Sequence, residues 1–409
     1  MTLERCIAYA LEHSPRLERL RSQTASARAE RLMAIGALLP QVGASTSLYA
    51  SSGRDIDPKT NTYTTVSSLR NNYSLDASMV LFDGLAGVHR LRQRRLEERI
   101  ALSNEQAERR KLRMEVVQAY YKTLLARQLS LQAERELATA TALLKKVRRM
   151  HELGMNSAID VAEVSAQQSS AQHLLTQRSG AYRLLQLELM ALMHYPSDSL
   201  LEVAPAEAPP ALLAPSLIDP QELYRAALGW FPELRSAQEA VRAARLARHV
   251  AVGAFVPRLS LGAGYSTSFS RYMDGSPYEP FADQLRNRAG QYIGLTLSVD
   301  LFAGFRHLGT LRQRRAALRS AIATEQELET QIQRDIEATV LELRNAIEQY
   351  QSMRSLLEHR SIVYQGVLRG FETGRNTALE LTQAINQRTQ AEAQLLEAYT
   401  TYLLHKAWT

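Results

Sequence analysis

Two stretches, Gly84–Leu153 and Gly304–Thr373, run without a proline, and no proline occurs between Pro58 and Pro196 or after Pro280. Each is about 70 residues long, which as one α-helix measures about 105 Å at roughly 1.5 Å per residue. That exceeds an ordinary globular domain. The runs therefore predict a coiled-coil rod, a helical barrel or an element that crosses a large space. Composition agrees: Ala, Leu, Gln, Arg and Glu dominate the 409 residues, a helical bias.

The formal net charge is +7, but the 49 Lys+Arg and 42 Asp+Glu are interleaved along the helical runs and read as solvated helix faces. The repeated Leu-Arg-Gln-Arg-Arg segments carry no aromatic interleaving and no nucleic-acid motif, so no nucleic-acid partner is expected. Catalysis has equally little to build on. Cys6 is the only cysteine, no two of the 9 histidines lie within four residues of each other, and no phosphate-binding glycine loop occurs, so neither an enzyme nor a metal or cofactor site is expected. No stretch approaches 18 apolar residues, the length a transmembrane helix needs. The opening Met1-Thr2-Leu3-Glu4-Arg5 enters an amphipathic pattern with no apolar leader, so no signal peptide is read in this chain, and Cys6 as placed is not a lipidated terminus.

In chain order, residues 3–39 read as helix, interrupted at Ser14-Pro15 and stopped at Leu38-Leu39-Pro40. The period then changes to two. Residues 41–52 are small, hydroxylic and β-compatible, and Tyr73, Leu75, Ala77, Met79 and Leu81 alternate with polar or small neighbours. These are two strands of a hairpin (41–82) around a polar loop, 53–72, with Asp57-Pro58 as turn chemistry. Strands of roughly 10 residues are long enough to cross a bilayer when tilted. After Gly84 comes the long helix (84–153), then a Gly154 stop, a Ser157 N-cap with Asp160 three residues on, and a return helix (158–193). Residues 196–220 hold six of the 13 prolines and read as a linker.

Beyond the linker the order recurs. Pro232 and Pro257 answer Pro15 and Pro40 at an offset of 217, while Leu311-Arg312-Gln313-Arg314-Arg315 repeats Leu91-Arg92-Gln93-Arg94-Arg95 at 220. Alternation at Leu259–Tyr265 and Ile293–Leu301 repeats the hairpin (258–302). A long helix (304–373), the Gly374 stop, the Thr377/Glu380 cap and a return helix (378–408) complete the second copy. The chain is thus two repeats, 1–195 and 221–409, joined by the linker. Four amphipathic strands cannot close a barrel, which takes about eight or more. Three chains supply twelve strands and twelve helical staves, a membrane β-barrel continued by an α-helical tube.

The duplicated order of helix, Leu-Leu-Pro, strand pair, Leu-Phe-Asp-Gly, long helix and Gly-x-x-Ser/Thr-x-x-Asp/Glu hairpin resembles the TolC-type outer-membrane efflux proteins over essentially the whole chain. The resemblance implies a homotrimer in the outer membrane of a Gram-negative bacterium, its helices in the periplasm. Such a trimer works in a tripartite efflux or type I secretion system, with a periplasmic adaptor (membrane fusion protein) and an inner-membrane pump of RND, ABC or MFS type. It further implies that the turns Gly154, Met155, Asn156, Ser157 and Gly374, Arg375, Asn376, Thr377 meet the adaptor. By the same resemblance Glu380 and Gln383 line the closed gate, with Asp160 and Glu163 supplying nearby charge or pairing with Arg375. The basic clusters Arg92, Arg94, Arg95 and Arg312, Arg314, Arg315 follow a strand, which places them near the membrane rim and outer-membrane lipid. A periplasmic coiled-coil adaptor or poreless structural protein is the alternative, and it leaves the membrane-length strands unexplained.

Overall fold

The computed structural model describes residues 1–56, 61–196, 201–204, 219–275 and 277–408. The elements in order are α1 (Leu3–His13), α2 (Pro15–Gly36), β1 (Gln41–Ile56), β2 (Tyr63–Phe82), α3 (Ala86–Glu152), α4 (Ala158–Met193), α5 (Pro220–Trp230), α6 (Pro232–Gly253), β3 (Arg258–Tyr272), α7 (Phe281–Asn287), β4 (Gly290–Ser298), α8 (Arg306–Glu372) and α9 (Ala378–Trp408). The fold is mainly helical with one antiparallel sheet, and its second half repeats the first. α3 and α8 are each 67 residues without a break. Pro15 and Pro232 open α2 and α6, where their fixed φ suits the first helical turn and their missing N–H costs nothing.

Contacts divide the chain into two compact units, one of residues 1–21, 104–233 and 328–409, the other of residues 22–103 and 234–327. The second unit holds a four-stranded sheet in the order β1-β2-β3-β4, antiparallel throughout. One face carries Ala44, Leu75, Tyr265 and, on β4, Ile293, Leu295 and Leu297, many of them exposed. Around the sheet, α2 lies along α3 through ion pairs: Arg94–Glu30 at 2.6 Å, Arg31–Glu98 at 2.8 Å and Arg28–Glu98 at 3.4 Å. Few α2 side chains are buried, so these partly exposed pairs, each worth about 0.2–1 kcal/mol, contribute to its alignment along α3.

The strand-to-helix turns are the tightest points of this unit. Gly84 and Leu85 both have positive φ, +66° and +63°, and Gly304 and Phe305 repeat this at +58° and +62°. For leucine and phenylalanine the left-handed conformation costs about 1–2 kcal/mol. In the first turn Asp83 Oδ2 accepts the Gly87 N–H at 2.8 Å. Gly253, at the end of α6, packs backbone to backbone against it: a Cβ on Gly84 would lie 3.1 Å from Gly253 Cα, and a Cβ on Gly253 3.0 Å from Asp83 O.

The other unit is helical. Its largest core joins Cys6, Ala10 and Leu17 to Leu112, Val116, Tyr120 and Leu124 of α3 and Leu189, Met190 and Met193 of α4. Leu201 and Val203 complete that core, and the Ala204 N–H donates to Met1 O at 2.9 Å. Part of the segment read as a linker is therefore packed structure, because two apolar side chains in it are fully buried. Pro205, Pro209, Pro210 and Pro215 lie outside the described residues.

Three strand boundaries correct the sequence reading. Gly53–Ile56 and Tyr63–Asn72, read as loop, are strand, while Asp57-Pro58 lies outside the described residues. Ser51–Ser68 (3.0 Å), Ser67–Ser52 (2.8 Å) and Thr46–Asn71 (2.9 Å) side-chain bonds stitch this ladder without an apolar stripe. β4 ends at Ser298, so Val299 and Leu301 lie beyond it, and the short α7 occupies the second hairpin loop, its buried Gln284 accepting from the Ser270 N–H at 2.9 Å.

Candidate gate and docking turns

Each long helix ends in the same turn, for the same local reason. Gly154 (φ +76°) follows α3, the Met155 N–H returns to Met150 O at 2.9 Å and the Gly154 N–H to His151 O at 2.9 Å. Gly374 (φ +72°) follows α8, with Arg375 N–H to Gly370 O at 2.8 Å and Gly374 N–H to Phe371 O at 3.2 Å. This double bond pattern closes a helix on a left-handed residue, which glycine adopts without a Cβ clash. The next helix then starts on a capping box. Asp160 N–H donates to Ser157 Oγ at 3.1 Å while Asp160 Oδ2 accepts the Ser157 N–H at 2.9 Å; Glu380 N–H donates to Thr377 Oγ1 at 3.3 Å while Glu380 Oε2 accepts the Thr377 N–H at 2.9 Å.

The two turns differ in one detail that sequence reasoning missed. Asn376 folds over Gly370, where a Cβ would sit 1.7 Å from Asn376 Oδ1, and its Nδ2 donates to Glu380 Oε2 at 2.9 Å. The first repeat has Met150 at the corresponding place. The Gly370/Met150 difference at aligned positions of the two copies was the available signal. The Thr377 N–H and Asn376 together hold the Glu380 carboxyl below its ordinary range, the backbone bond contributing most. Both of these bonds use Oε2.

Behind the turns lies a small apolar core of Leu144, Val147, Val164, Phe371, Ala378 and Leu381, bordered by Val161, Tyr364, Val367 and Ile385. It binds the two hairpins to each other. Polar contacts flank it: Lys146 Nζ to Glu372 Oε1 at 3.3 Å, Gln167 Nε2 to Asn386 Oδ1 at 2.7 Å, and Arg388 over the Tyr364 ring at 4.7 Å. Farther along, Glu136 sits half-buried in a groove with Gln132, Thr139, Arg388 and Glu392, and its Oε2 has no hydrogen-bond partner among the described residues. Burial, with Glu392 adding to it, pushes the Glu136 carboxyl upward.

Among the expected gate residues, Glu380 and Gln383 are exposed and one turn apart on α9, so they share a face, while Asp160 and Glu163 are partly buried on α4. Arg375 is exposed and, among the described residues, forms no ion pair with Asp160 or Glu163 within the chain. The turn bends its backbone to cap α8, and both acids sit on the other hairpin, Asp160 committed to its own cap. Gly154, Met155, Ser157, Gly374 and Thr377 are exposed, and Asn156 and Asn376 partly so. Of the basic clusters, Arg94 is tied to Glu30 and Glu97, whereas Arg92, Arg95, Arg312, Arg314 and Arg315 are exposed without an ion pair among the described residues. Beside the first cluster, burial and His249, 5.1 Å away between ring centroids, lower the His89 imidazole pKa.

Among the described residues no helix is long and apolar enough to cross a membrane, and no cluster of metal-binding side chains occurs. Comparison with curated proteins gave no match. Solved structures match closely in fold. The outer membrane protein VceC of Vibrio cholerae superposes with a TM-score of 0.83 at 16% identity, covering 99% of this chain and 95% of that one. CusC gives 0.83 at 17% identity over 99% and 90%, and the open state of the Neisseria gonorrhoeae MtrE outer membrane channel gives 0.77 at 18% over 99% and 87%. The family model for outer membrane efflux proteins matches residues 6–193 and 223–407, both repeats and most of the chain. The chain belongs to the outer membrane efflux protein family, the passive, non-enzymatic outer-membrane channels that work with adaptors and inner-membrane pumps.

Proposed function

We propose that three copies of this chain close a twelve-stranded barrel continued by twelve helices, and that this duct carries substrates delivered by an inner-membrane pump out of the cell. The observation that carries the reading is the sheet: four strands with both edges free among the described residues and a largely apolar exposed face, each hairpin feeding a 67-residue helix. A sheet of four strands leaves edges that only pairing removes, and a lipid-facing sheet has to be closed.

On this reading the capped turns at Gly154–Ser157 and Gly374–Thr377 are the surface an adaptor grips. The pump is of RND, ABC or MFS type, for efflux or for type I secretion. Glu380 and Gln383 ring the constriction, with Asp160 and Glu163 adding negative charge on the neighbouring hairpin. Capping and gating are compatible at Glu380, because the cap uses Oε2 and leaves Oε1 to face a cation. Its amide neighbour Gln383 makes the ring less negative than two stacked carboxylates. The unpaired arginines Arg92, Arg95, Arg312, Arg314 and Arg315, with Arg94 beside them, suit lipid head groups at the membrane rim.

The test is mass and conductance together. Purified in detergent, the protein has the mass of a trimer and inserts into planar bilayers as a discrete conductance. A folded, monodisperse monomer that needs no detergent overturns the proposal.

A further inference from the structure

We infer that β4 pairs with β1 of a second copy of this chain in one defined register, with Leu295 opposite the partner's Leu48 and Gly294 opposite the partner's Tyr49. The inference rests on the closed-barrel reading above and adds the residue-level surface by which the copies recognise each other.

The register comes from the duplication. In the β1–β2 hairpin Gln41 faces Ser78 and Tyr49 faces Arg70; in the β3–β4 hairpin Arg258 faces Ser298 and Ser266 faces Gly290. Adding 217 to the first strand and 220 to the second converts one hairpin into the other at both ends, so the repeat preserves pairing and not only sequence. The β2–β3 junction is the seam between the two repeats inside one chain, where Leu75 faces Tyr265, Ser74 faces Ser266 and Ser78 faces Gly262. The same offsets carry β2 onto β4 and β3 onto β1. The seam between copies then sets Leu295 against the partner's Leu48, Gly294 against the partner's Tyr49 and Ser298 against the partner's Ser45.

The side chains fit this register independently of the arithmetic. Within the chain Tyr292 faces Gly264 and covers it, so that a Cβ on Gly264 would lie 2.3 Å from the ring. Gly294 is the uncovered counterpart, with nothing within 4 Å of its Cβ position, and Tyr49 is 43% exposed on the free edge of β1. The inferred register lays the partner's Tyr49 over Gly294 and repeats the tyrosine-on-glycine pair. It also joins Leu295 to the partner's Leu48, each 65% exposed in one chain. A slip of two residues is the smallest that keeps the apolar face continuous, and it sets Gly294 against the partner's Ser47 or Ser51, losing both matches.

The helices beside the sheet agree. Gly253 and Gly84 touch backbone to backbone inside the chain, while their repeat counterparts Gly36 and Gly304 have open space around them. Applied to the seam between copies, the same packing brings the partner's Gly36 onto Gly304.

Four cysteine substitutions combined in four pairings test the register in isolated outer membranes, the native Cys6 being buried. Ser45→Cys with Ser298→Cys and Ser47→Cys with Thr296→Cys are on register. Ser45→Cys with Thr296→Cys and Ser47→Cys with Ser298→Cys use the same positions two residues off. Directly opposed Cβ atoms lie about 4.5–5.5 Å apart and diagonal ones about 7–8 Å, so mild oxidation joins the first two at least tenfold faster than the others. The expected result is a non-reducing gel ladder ending at three chains. Faster joining of either off-register pair overturns the register and leaves the closed barrel standing. No joining in any of the four, with a monomeric mass, overturns the barrel itself.

Discussion

The apolar core behind the hairpin turns, rather than the polar contacts around it, holds the two hairpins together, and Leu381→Ala measures by how much. Leu381 is fully buried among Leu144, Val147, Val164, Phe371 and Ala378. Truncation to alanine removes three carbons, about 2.4 kcal/mol at roughly 0.8 kcal/mol each, and the cavity left behind raises the cost to about 3–4 kcal/mol. The Lys146–Glu372 pair spans the same hairpins at 3.3 Å with both side chains about half exposed, so Lys146→Ala costs about 0.2–1 kcal/mol. Converted at about 1.4 kcal/mol per decade, Leu381→Ala speeds local opening roughly 100-fold or more and Lys146→Ala about fivefold at most. Hydrogen exchange read by mass spectrometry on peptides covering residues 378–386 follows this opening, with residues 343–350 around the separate Leu343–Tyr402 core as the unaffected control. In planar bilayers the leucine variant opens more often. Equal or greater deprotection by Lys146→Ala refutes the reasoning, because it would put electrostatics above packing.

Three further outcomes follow from named groups. Glu380→Gln keeps the capping box, since an amide oxygen also accepts the Thr377 N–H, but removes the charge; it loses block by multivalent cations with at most a small drop in thermal stability, from the lost hold on the ionised form, and retained block leaves Glu380 as a cap alone. Because the folded carboxyl is held below its ordinary value of 4.5, the wild-type cap persists at neutral pH and weakens only as pH falls below that value, which circular dichroism melts against pH can follow. The Glu136 carboxyl is shifted the other way, so the ionised form destabilises the fold as pH rises above 4.5: Glu136→Gln raises the melting temperature at pH 7 and has little effect at pH 4, and equal effects at both contradict the assignment. Gly253→Ala forces a Cβ to 2.9 Å from Ala86 Cβ and destabilises the subunit by about 1–3 kcal/mol, whereas Gly36→Ala, with open space in one chain, spares the subunit and weakens the trimer, as denaturant melts and cross-linked mass distinguish.

Much of this architecture was legible because it is written in period and punctuation. Proline-free helical runs, the 217 and 220 offsets and the Gly/Ser/Thr turns each have a local cause that survives folding, and α3, α8 and both capping boxes follow from them. The strand residues 63–72 escaped because Ser, Asn and Arg occupy both faces there and hydroxyl bonds across the ladder replace the apolar stripe. Leu201 and Val203 were hidden by the prolines around them, since composition over a window cannot register two anchors that pack against Cys6 and Tyr120 far away in sequence. At the turns, sequence showed the Thr377/Glu380 cap but not the Asn376 fold over Gly370, a contact that depends on the absence of one Cβ. The separation of Arg375 from Asp160 and Glu163 was equally invisible, because it depends on how two hairpins dock.

The sheet's two unpaired margins bear on how such a subunit survives before it has companions. A lone copy offers open rows of N–H and C=O groups on β1 and β4 together with exposed Leu48, Ile293, Leu295 and Leu297, the pattern that nucleates aggregation in water. On the closed-barrel reading, pairing with neighbouring copies is what covers these margins, so a chain that meets its companions slowly at the membrane spends longer in an aggregation-prone form.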